Sequence, residues 1–465
     1  MHEPAEHQSA EIKSAEIKSV EAGRSGPSRR GFLKGVGAGL TGLAVSGPVL
    51  SGCATRSTGG AAAAGGGAAD ARTIRIGFVS PRTGSVAAFG EADGYVIGLA
   101  RQAFSAGMVL GGRSYGVEII DKDGASNTTT SAMVANDLIY GDRVDLMLTT
   151  STPETINPVS DACEAAGVPC ISTNTPWEAW YFGRGAKPGE PSPFKWGYHF
   201  SFGVDQFANS FIAMWPQVPT NKKVGVMWPN DADGNAIRAA LGPLLRDAGY
   251  TIVDPGAYID GTNDYSAQIS QFKAENCEIF NTFPIPPDFA TFWQQAALQG
   301  YTPRIAQIAK TGLFLSQVQA LGPIGVNLAS AVYWGPTFPY SSALTGISSQ
   351  QLADGYQAAS GKLWNQNLGA TMSLLDVGMA ALKATPNPRD KTALIRAVAK
   401  LRVDTMYGRV AWGTGPVPNV VTTPIIGGQW VAAPPESPFN LDFVVCENVN
   451  DPKVPVAAKL QRYDT

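Results

Sequence analysis

Short β-branched runs alternating with amphipathic helical stretches, in two successive series, leave this chain little choice of architecture. The pattern is clearest at residues 72–106, RTIRIGFVSPRTGSVAAFGEADGYVIGLARQAFSA. Ile74, Ile76, Phe78 and Val79 form a run apolar enough to be a strand buried on both faces. A loop with Pro81, Gly84, Ser85 and Gly90 follows. A helical stripe of Tyr95, Ile97, Leu99, Ala100 and Ala103 then begins, with Glu91 and Asp93 where a helix dipole favours acids. Strand, loop and helix make the first unit of a parallel α/β sheet, in which ligands bind at the carboxyl ends of strands. The loop at residues 80–90 is therefore the first candidate site.

The same alternation continues. Strands are expected at residues 116–121, 144–148 and 169–172, with helices at 126–140 and 156–166. A second series places strands at 223–227, 251–254, 277–283 and 304–308, with helices at 235–248, 265–275 and 288–299. Two hydroxyl-rich loops fall at strand ends in the first series: one holds Thr150, Ser151 and Thr152, the other Thr173, Asn174, Thr175 and Trp177. Short polar side chains there let hydroxyls and backbone N–H groups converge on an anionic or zwitterionic group. Ordinary turn and N-cap chemistry would use the same residue types. In the second series the candidate loops hold Trp228, Asp231 and Asp233, then Ile285 in the Phe-Pro-Ile-Pro-Pro segment, then Lys310.

Ahead of this folded stretch lies a different kind of sequence. Residues 1–27 are polar and repeat Ser-Ala-Glu-Ile-Lys. Ser28-Arg29-Arg30-Gly31-Phe32-Leu33-Lys34 matches the twin-arginine export pattern, and Leu50-Ser51-Gly52-Cys53 matches a lipobox. Residues 1–52 thus read as a signal peptide cleaved before a lipidated Cys53. Residues 53–71, nearly all Ala, Gly, Ser and Thr, read as a flexible tether. The weakly apolar run between the two motifs is too short and glycine-rich for a membrane span. Gly37-Ala-Gly39-Leu-Thr-Gly42 fits a dinucleotide-binding pattern, but no strand precedes it, so no cofactor is expected.

Composition narrows the function further. Net charge is −3 and no Lys/Arg cluster points to nucleic acid. Of three histidines, only His199 follows the lipobox, which leaves little for a multi-histidine metal site or a catalytic triad. Cys163, Cys170, Cys277 and Cys446 permit three disulfide pairings that sequence does not distinguish. Ten tryptophans suggest an aromatic-lined cleft, with two or three of them reaching a ligand.

The order and spacing of these features resemble the type I periplasmic binding proteins, the branched-chain amino acid and amide receptors of ABC importers. Thr83-Gly84 through Gly90 matches that family's loop before the first helix, and the resemblance runs to about Val445. It implies two doubly wound Rossmann-like α/β lobes joined by three hinge crossings. These crossings are expected near Ser201-Phe202-Gly203, Val332-Tyr333-Trp334-Gly335 and residues 408–412. Lobe 1 would hold residues 72–200 and 336–420, lobe 2 residues 201–335 and 421–446, with 447–465 as a tail. Thr150, Ser151, Thr173 and Thr175 fall where the family holds a ligand's α-carboxylate, although residues 149–157 are about two longer than its pattern. Phe89 falls at an aromatic contact. Lys310 falls where the family has an acid for the ligand's ammonium, so a carboxylate with an apolar or aromatic body is expected over a standard amino acid. The Asp231/Asp233 loop is the alternative source of an acid. The implied partners are a small-molecule ligand, ABC permease subunits, and the membrane through the N-terminal lipid alone. The alternatives are an exported α/β enzyme, disfavoured by the lack of a nucleophile–base pair, and a sensor for a membrane signalling partner.

Overall fold

A computed structural model describes residues 72–465. The expected signal peptide, lipidated Cys53 and tether lie outside the described residues. The chain runs β1 (Thr73–Ser80), α1 (Asp93–Ala103), β2 (Met108–Leu110), β3 (Arg113–Asp123), α2 (Thr128–Asn136), β4 (Leu146–Thr150), α3 (Pro153–Ala166), β5 (Cys170–Thr173), α4 (Trp177–Tyr181) and β6 (Gly197–Ser201). It continues through α5 (Val204–Met214), β7 (Lys223–Met227), α6 (Ala232–Asp247), β8 (Thr251–Val253), α7 (Ser266–Ala274), β9 (Ile279–Thr282), α8 (Pro286–Leu298), β10 (Ile305–Ile308), α9 (Leu315–Gln319) and β11 (Ala329–Val332). The remainder is α10 (Ser349–Ser360), α11 (Asn367–Lys383), α12 (Lys391–Val398), β12 (Arg402–Thr405), β13 (Gly408–Ala411), β14 (Val420–Thr422), β15 (Ile426–Ala432) and β16 (Leu441–Glu447).

Two seven-stranded sheets result, in the orders β14-β6-β5-β4-β1-β3-β2 and β16-β15-β11-β10-β9-β7-β8. The inner strands β4, β5, β9, β10 and β11 are buried along their whole length, as parallel strands covered by helices on both faces must be. Strand order reverses between β1 and β4 in lobe 1, and between β7 and β9 in lobe 2. Such switch points open a crevice at the carboxyl ends of the strands. The two crevices face each other.

The chain passes between lobes three times: after β6, after β11 and after β14. The last passage lies at residues 423–425, just after β14 and within a few residues of the lobe boundary expected at 420/421. Residues 408–411 instead pair with β12 in a separate hairpin. Another hairpin escaped the sequence reading. β2 pairs antiparallel with β3 across Gly111-Gly112, both at positive φ, which is the chemistry a two-residue turn needs. Helix α5 also lies in a stretch to which no element was assigned.

Several strand ends differ from expectation by one or two residues, and this matters for the site. β4 runs on through Thr149 and Thr150, and β5 through Thr173, because β-branched threonines extend strands readily. The tail at residues 447–465 packs on lobe 2, with Val454 and Leu460 buried and the Tyr463 N–H donating to the Arg304 carbonyl. Cys163, Cys170, Cys277 and Cys446 are all buried free thiols. Among the described residues no helix is long and apolar enough to cross a membrane.

Candidate functional site

A narrow cavity of about 30 Å³ lies where the carboxyl ends of the two sheets meet. That is room for roughly two water molecules, so the lobes are closed on each other. Lobe 1 contributes Phe89, Ser151, Thr152, Asn174 and Thr175; lobe 2 contributes Phe207, Asp233, Phe283, Lys310 and Leu313. Each hinge passage adds one more residue: Phe202, Tyr333 and Ile425.

The strand ends decide which hydroxyls reach this cavity. Thr149, inside β4, donates to the Val79 carbonyl at 3.0 Å, and Thr173, inside β5, to the Phe200 carbonyl at 2.6 Å. Neither lines the cavity. Thr150 ends β4 with its Oγ1 buried and unpartnered, beside the cavity but not in its wall. One step further, Ser151, Thr152 and Asn174 line it, and Ser151 Oγ, Thr152 Oγ1 and Asn174 Oδ1 are buried with no hydrogen-bond partner. Buried polar atoms normally find partners, so three orphans in one wall mark where a ligand's groups belong. Asn174 is oriented by its own bond: its Nδ2 donates to Asn367 Oδ1 at 2.8 Å, which also accepts from the Tyr333 hydroxyl at 2.6 Å.

Three cavity-lining loops carry a non-glycine residue at positive φ: Ser151 at 115°, Asn174 at 78° and Lys310 at 48°. Side chains rarely tolerate this region, and such strain gathers at ligand clamps. Residue type alone does not announce it.

On the lobe 2 side, Lys310 is buried and its ammonium lies 2.8 Å from Asp231 Oδ2 and 2.9 Å from Asp233 Oδ2. Asp231 also caps α6, accepting from the Gly234 N–H at 2.6 Å. Asp233 Oδ1 accepts from the Thr175 hydroxyl at 3.0 Å, a hydrogen bond that bridges the lobes. Burial raises the Asp233 carboxyl to about 6, against the pull of Lys310 and with added push from Asp231 and Glu154. Burial works to lower the Lys310 ammonium, but the Asp231 and Asp233 carboxylates outweigh it and hold it well above its ordinary value. The lysine expected to stand against a ligand's ammonium is thus itself paired with two aspartates.

Of the other expected residues, Phe89 lines the cavity, and Trp177, Trp228 and Ile285 do not. Phe89 packs edge-on against Phe314 across the cleft, with ring centroids 4.9 Å apart. Trp177 lies against Tyr181 and Phe182, over Gly203 at the first passage. A Cβ on Gly203 would collide with the Trp177 indole nitrogen, so only glycine fits there. Trp228 is buried in lobe 2 and donates to Asn281 Oδ1 at 2.9 Å. Ile285 precedes α8 and packs on the core outside the cavity. No tryptophan lines the cavity; its aromatic walls are phenylalanines and Tyr333. The residues missed from sequence, Phe202, Tyr333 and Ile425 above all, were findable only as members of the hinge passages.

His199 lies within β6, stacked on Trp180 at 5.1 Å, with Nδ1 2.8 Å from Ser172 Oγ and Nε2 3.1 Å from the Thr175 carbonyl. The carbonyl can only accept, so Nε2 carries the proton. Burial drops its pKa to about 3, which keeps it neutral. It buttresses the Thr175 loop from behind. Among the described residues no group of His, Cys, Asp or Glu is arranged to hold a metal ion.

Comparison with known proteins agrees with this geometry. A leucine-binding protein from Thermotoga maritima superposes with a TM-score of 0.65 at 18% identity, over 82% of this chain and 99% of its own. An ABC-transporter solute-binding protein from Rhodopseudomonas palustris BisB5, in complex with 3,4-dihydroxybenzoic acid, gives 0.64 at 19% identity, over 82% and 99%. A branched-chain amino acid transporter substrate-binding protein from Streptococcus pneumoniae, in complex with isoleucine, gives 0.62 at 17%, over 80% and 99%. At these identities the likeness carries the fold and nothing finer. No curated protein matches the chain significantly. The family model for periplasmic binding proteins matches residues 73–431. With that match running from the first strand of lobe 1 into the antiparallel edge of lobe 2, the chain belongs to the periplasmic binding protein family.

Proposed function

We propose that this protein captures a small organic solute bearing a carboxylate between its two lobes and delivers it to the permease of an ABC importer. The observation that carries the reading is the trio of orphaned polar atoms on Ser151, Thr152 and Asn174, set beside phenylalanine walls in a cavity between hinged lobes. Hydroxyl donors of this kind suit a carboxylate, and the apolar remainder suits an aliphatic or aromatic body. Structural neighbours in complex with isoleucine and with 3,4-dihydroxybenzoic acid support that chemistry. Binding rather than catalysis is supported by His199, the single histidine after Cys53, which is neutral and sealed in the sheet behind the cavity. Lipid on Cys53 would tether the exported protein to the membrane by residues 53–71, with lobe boundaries at the three passages.

The test is a thermal-shift panel of aliphatic and aromatic carboxylates, amino acids, amides and polyamines, with calorimetry on any hit. A carboxylate that stabilises the wild-type protein and loses at least tenfold in affinity on Ser151→Ala is the expected result. Stabilisation by polyamines alone would defeat the reading. For the tether, Cys53→Ala should release the protein from membranes; quantitative retention would show that no lipid holds it.

A further inference from the structure

Asp233 is the acid of the cavity wall, and both of its oxygens are engaged, as are those of its neighbour Asp231. Asp231 accepts from the Gly234 N–H and from Lys310. Asp233 accepts from the Thr175 hydroxyl and from Lys310. Asp288 takes the Gly261 N–H on both oxygens, at 3.0 and 3.1 Å, and hydrogen-bonds Asp260 as well. Glu154, on the first turn of α3, feels Lys310 only through space and is not part of the cavity wall. Every orphaned polar atom of the wall is on lobe 1, and every formal charge of the wall is on lobe 2.

From this placement we infer that Lys310 is a built-in ammonium: it occupies the Asp231/Asp233 pair permanently, so the protein selects ligands that carry a carboxylate but no amino group. An ammonium has three hydrogens, and two of those on Lys310 are committed to the aspartates. A ligand amine seated beside Asp233 would meet a second positive charge in a space from which water is nearly excluded. It would also find both Asp233 oxygens already engaged. Like charges brought together at a closed interface weigh against that partner. Asn174 Oδ1, an acceptor, can take a hydroxyl or amide N–H from an amine-free ligand. The inference rests on the solute-binding reading and sharpens it to amine-free carboxylates, hydroxy acids included.

Matched ligands test this directly: leucine, 2-hydroxy-4-methylpentanoate and 4-methylpentanoate, with phenylalanine, 3-phenyllactate and 3-phenylpropanoate as the aromatic series. Calorimetry on the wild-type protein should give the amine-free members at least tenfold tighter binding than the amino acid of the same skeleton. Lys310→Met vacates the aspartate pair and should erase or reverse the gap, whereas Lys310→Arg, which keeps the charge, should preserve it. Cooperative melting of each variant shows that it is folded. Wild-type protein that binds leucine or phenylalanine as tightly as its amine-free counterpart overturns the inference and leaves solute binding intact. So does a folded Lys310→Met whose preference is unchanged. Silence from both series, and from every other solute tried, overturns the solute-binding reading and this inference with it.

Discussion

The two walls of the cleft are built by the same fold and solve opposite problems. Lobe 1 meets the cavity with neutral polar atoms that nothing in the protein satisfies, on Ser151, Thr152 and Asn174. Lobe 2 meets it with the charges of Asp233 and Lys310, already matched to one another and to Asp231. An unsatisfied buried group costs free energy until a ligand arrives, so it belongs to recognition. A satisfied ion pair gives up little when a ligand arrives, so it acts by exclusion and by holding the lobes shut through Thr175. The lesson is that charge in a binding cleft does not by itself identify what the cleft attracts.

The sharpest way to break this comparison is to delete the lobe 1 hydroxyls together. Ser151→Ala with Thr152→Ala should cost ~3–6 kcal/mol of binding free energy to a carboxylate ligand, taking ~1.5–3 kcal/mol for each bond to a charged group. Calorimetry should therefore read a hundredfold loss or more, with the melting temperature of the free protein nearly unchanged. Affinity within a factor of a few would move recognition away from lobe 1.

Asp233→Asn attacks the other wall. Lys310 keeps Asp231 as its partner, so the loss is that of one buried charge-assisted bond, ~1.5–3 kcal/mol of stability. Denaturant melts should show it. The affinity loss for an amine-free carboxylate should be smaller than that of the lobe 1 double variant; the reverse order would mean that lobe 2 recognises and lobe 1 supports.

A weaker effect comes from pH. Burial lifts Asp233 and Asp260 to about 6, and Glu178 and Asp376 to about 7, all above their ordinary values in an unfolded chain. The native state therefore holds protons that the unfolded chain has released, and stability falls as pH rises through the interval from about 4 to about 7. The melting temperature should be higher near pH 5 than near pH 8, by a few degrees. Glu178 is a useful probe because its Oε1 accepts from the Val204 N–H, at the first residue after the first hinge passage. Glu178→Gln should flatten part of this slope, and an unchanged slope would show that Glu178 is not among its sources.

The smallest effect expected is from the tryptophans. Trp177→Phe should leave affinity within about twofold, because the indole covers Gly203 and does not reach the cavity. A loss of tenfold would return the tryptophan to the ligand.

The legible part of this protein was local. Alternating strand and helix periods, glycine and proline between them, and the first two hinge passages can be read from neighbouring residues, because each depends on which face of one element is apolar. That was enough for two α/β lobes and for the loops that flank the cleft. Within those loops local reading stopped short. Thr149, Thr150 and Thr173 look like loop hydroxyls, but pairing with neighbouring strands draws them into the sheets and hands the cavity to Ser151, Thr152, Asn174 and Thr175. Tryptophans look like cleft aromatics, but the cores needed their volume, and Trp180, Trp215, Trp228, Trp293, Trp334 and Trp430 are all fully buried. Lys310 has no acid in its own loop, and the fold brings Asp231 to it across 79 residues of chain, just as it brings Asn367 to Asn174 across 193. Periodicity records which face of a segment avoids water; it holds no record of which distant charge that face will meet, and only the tertiary structure decided that.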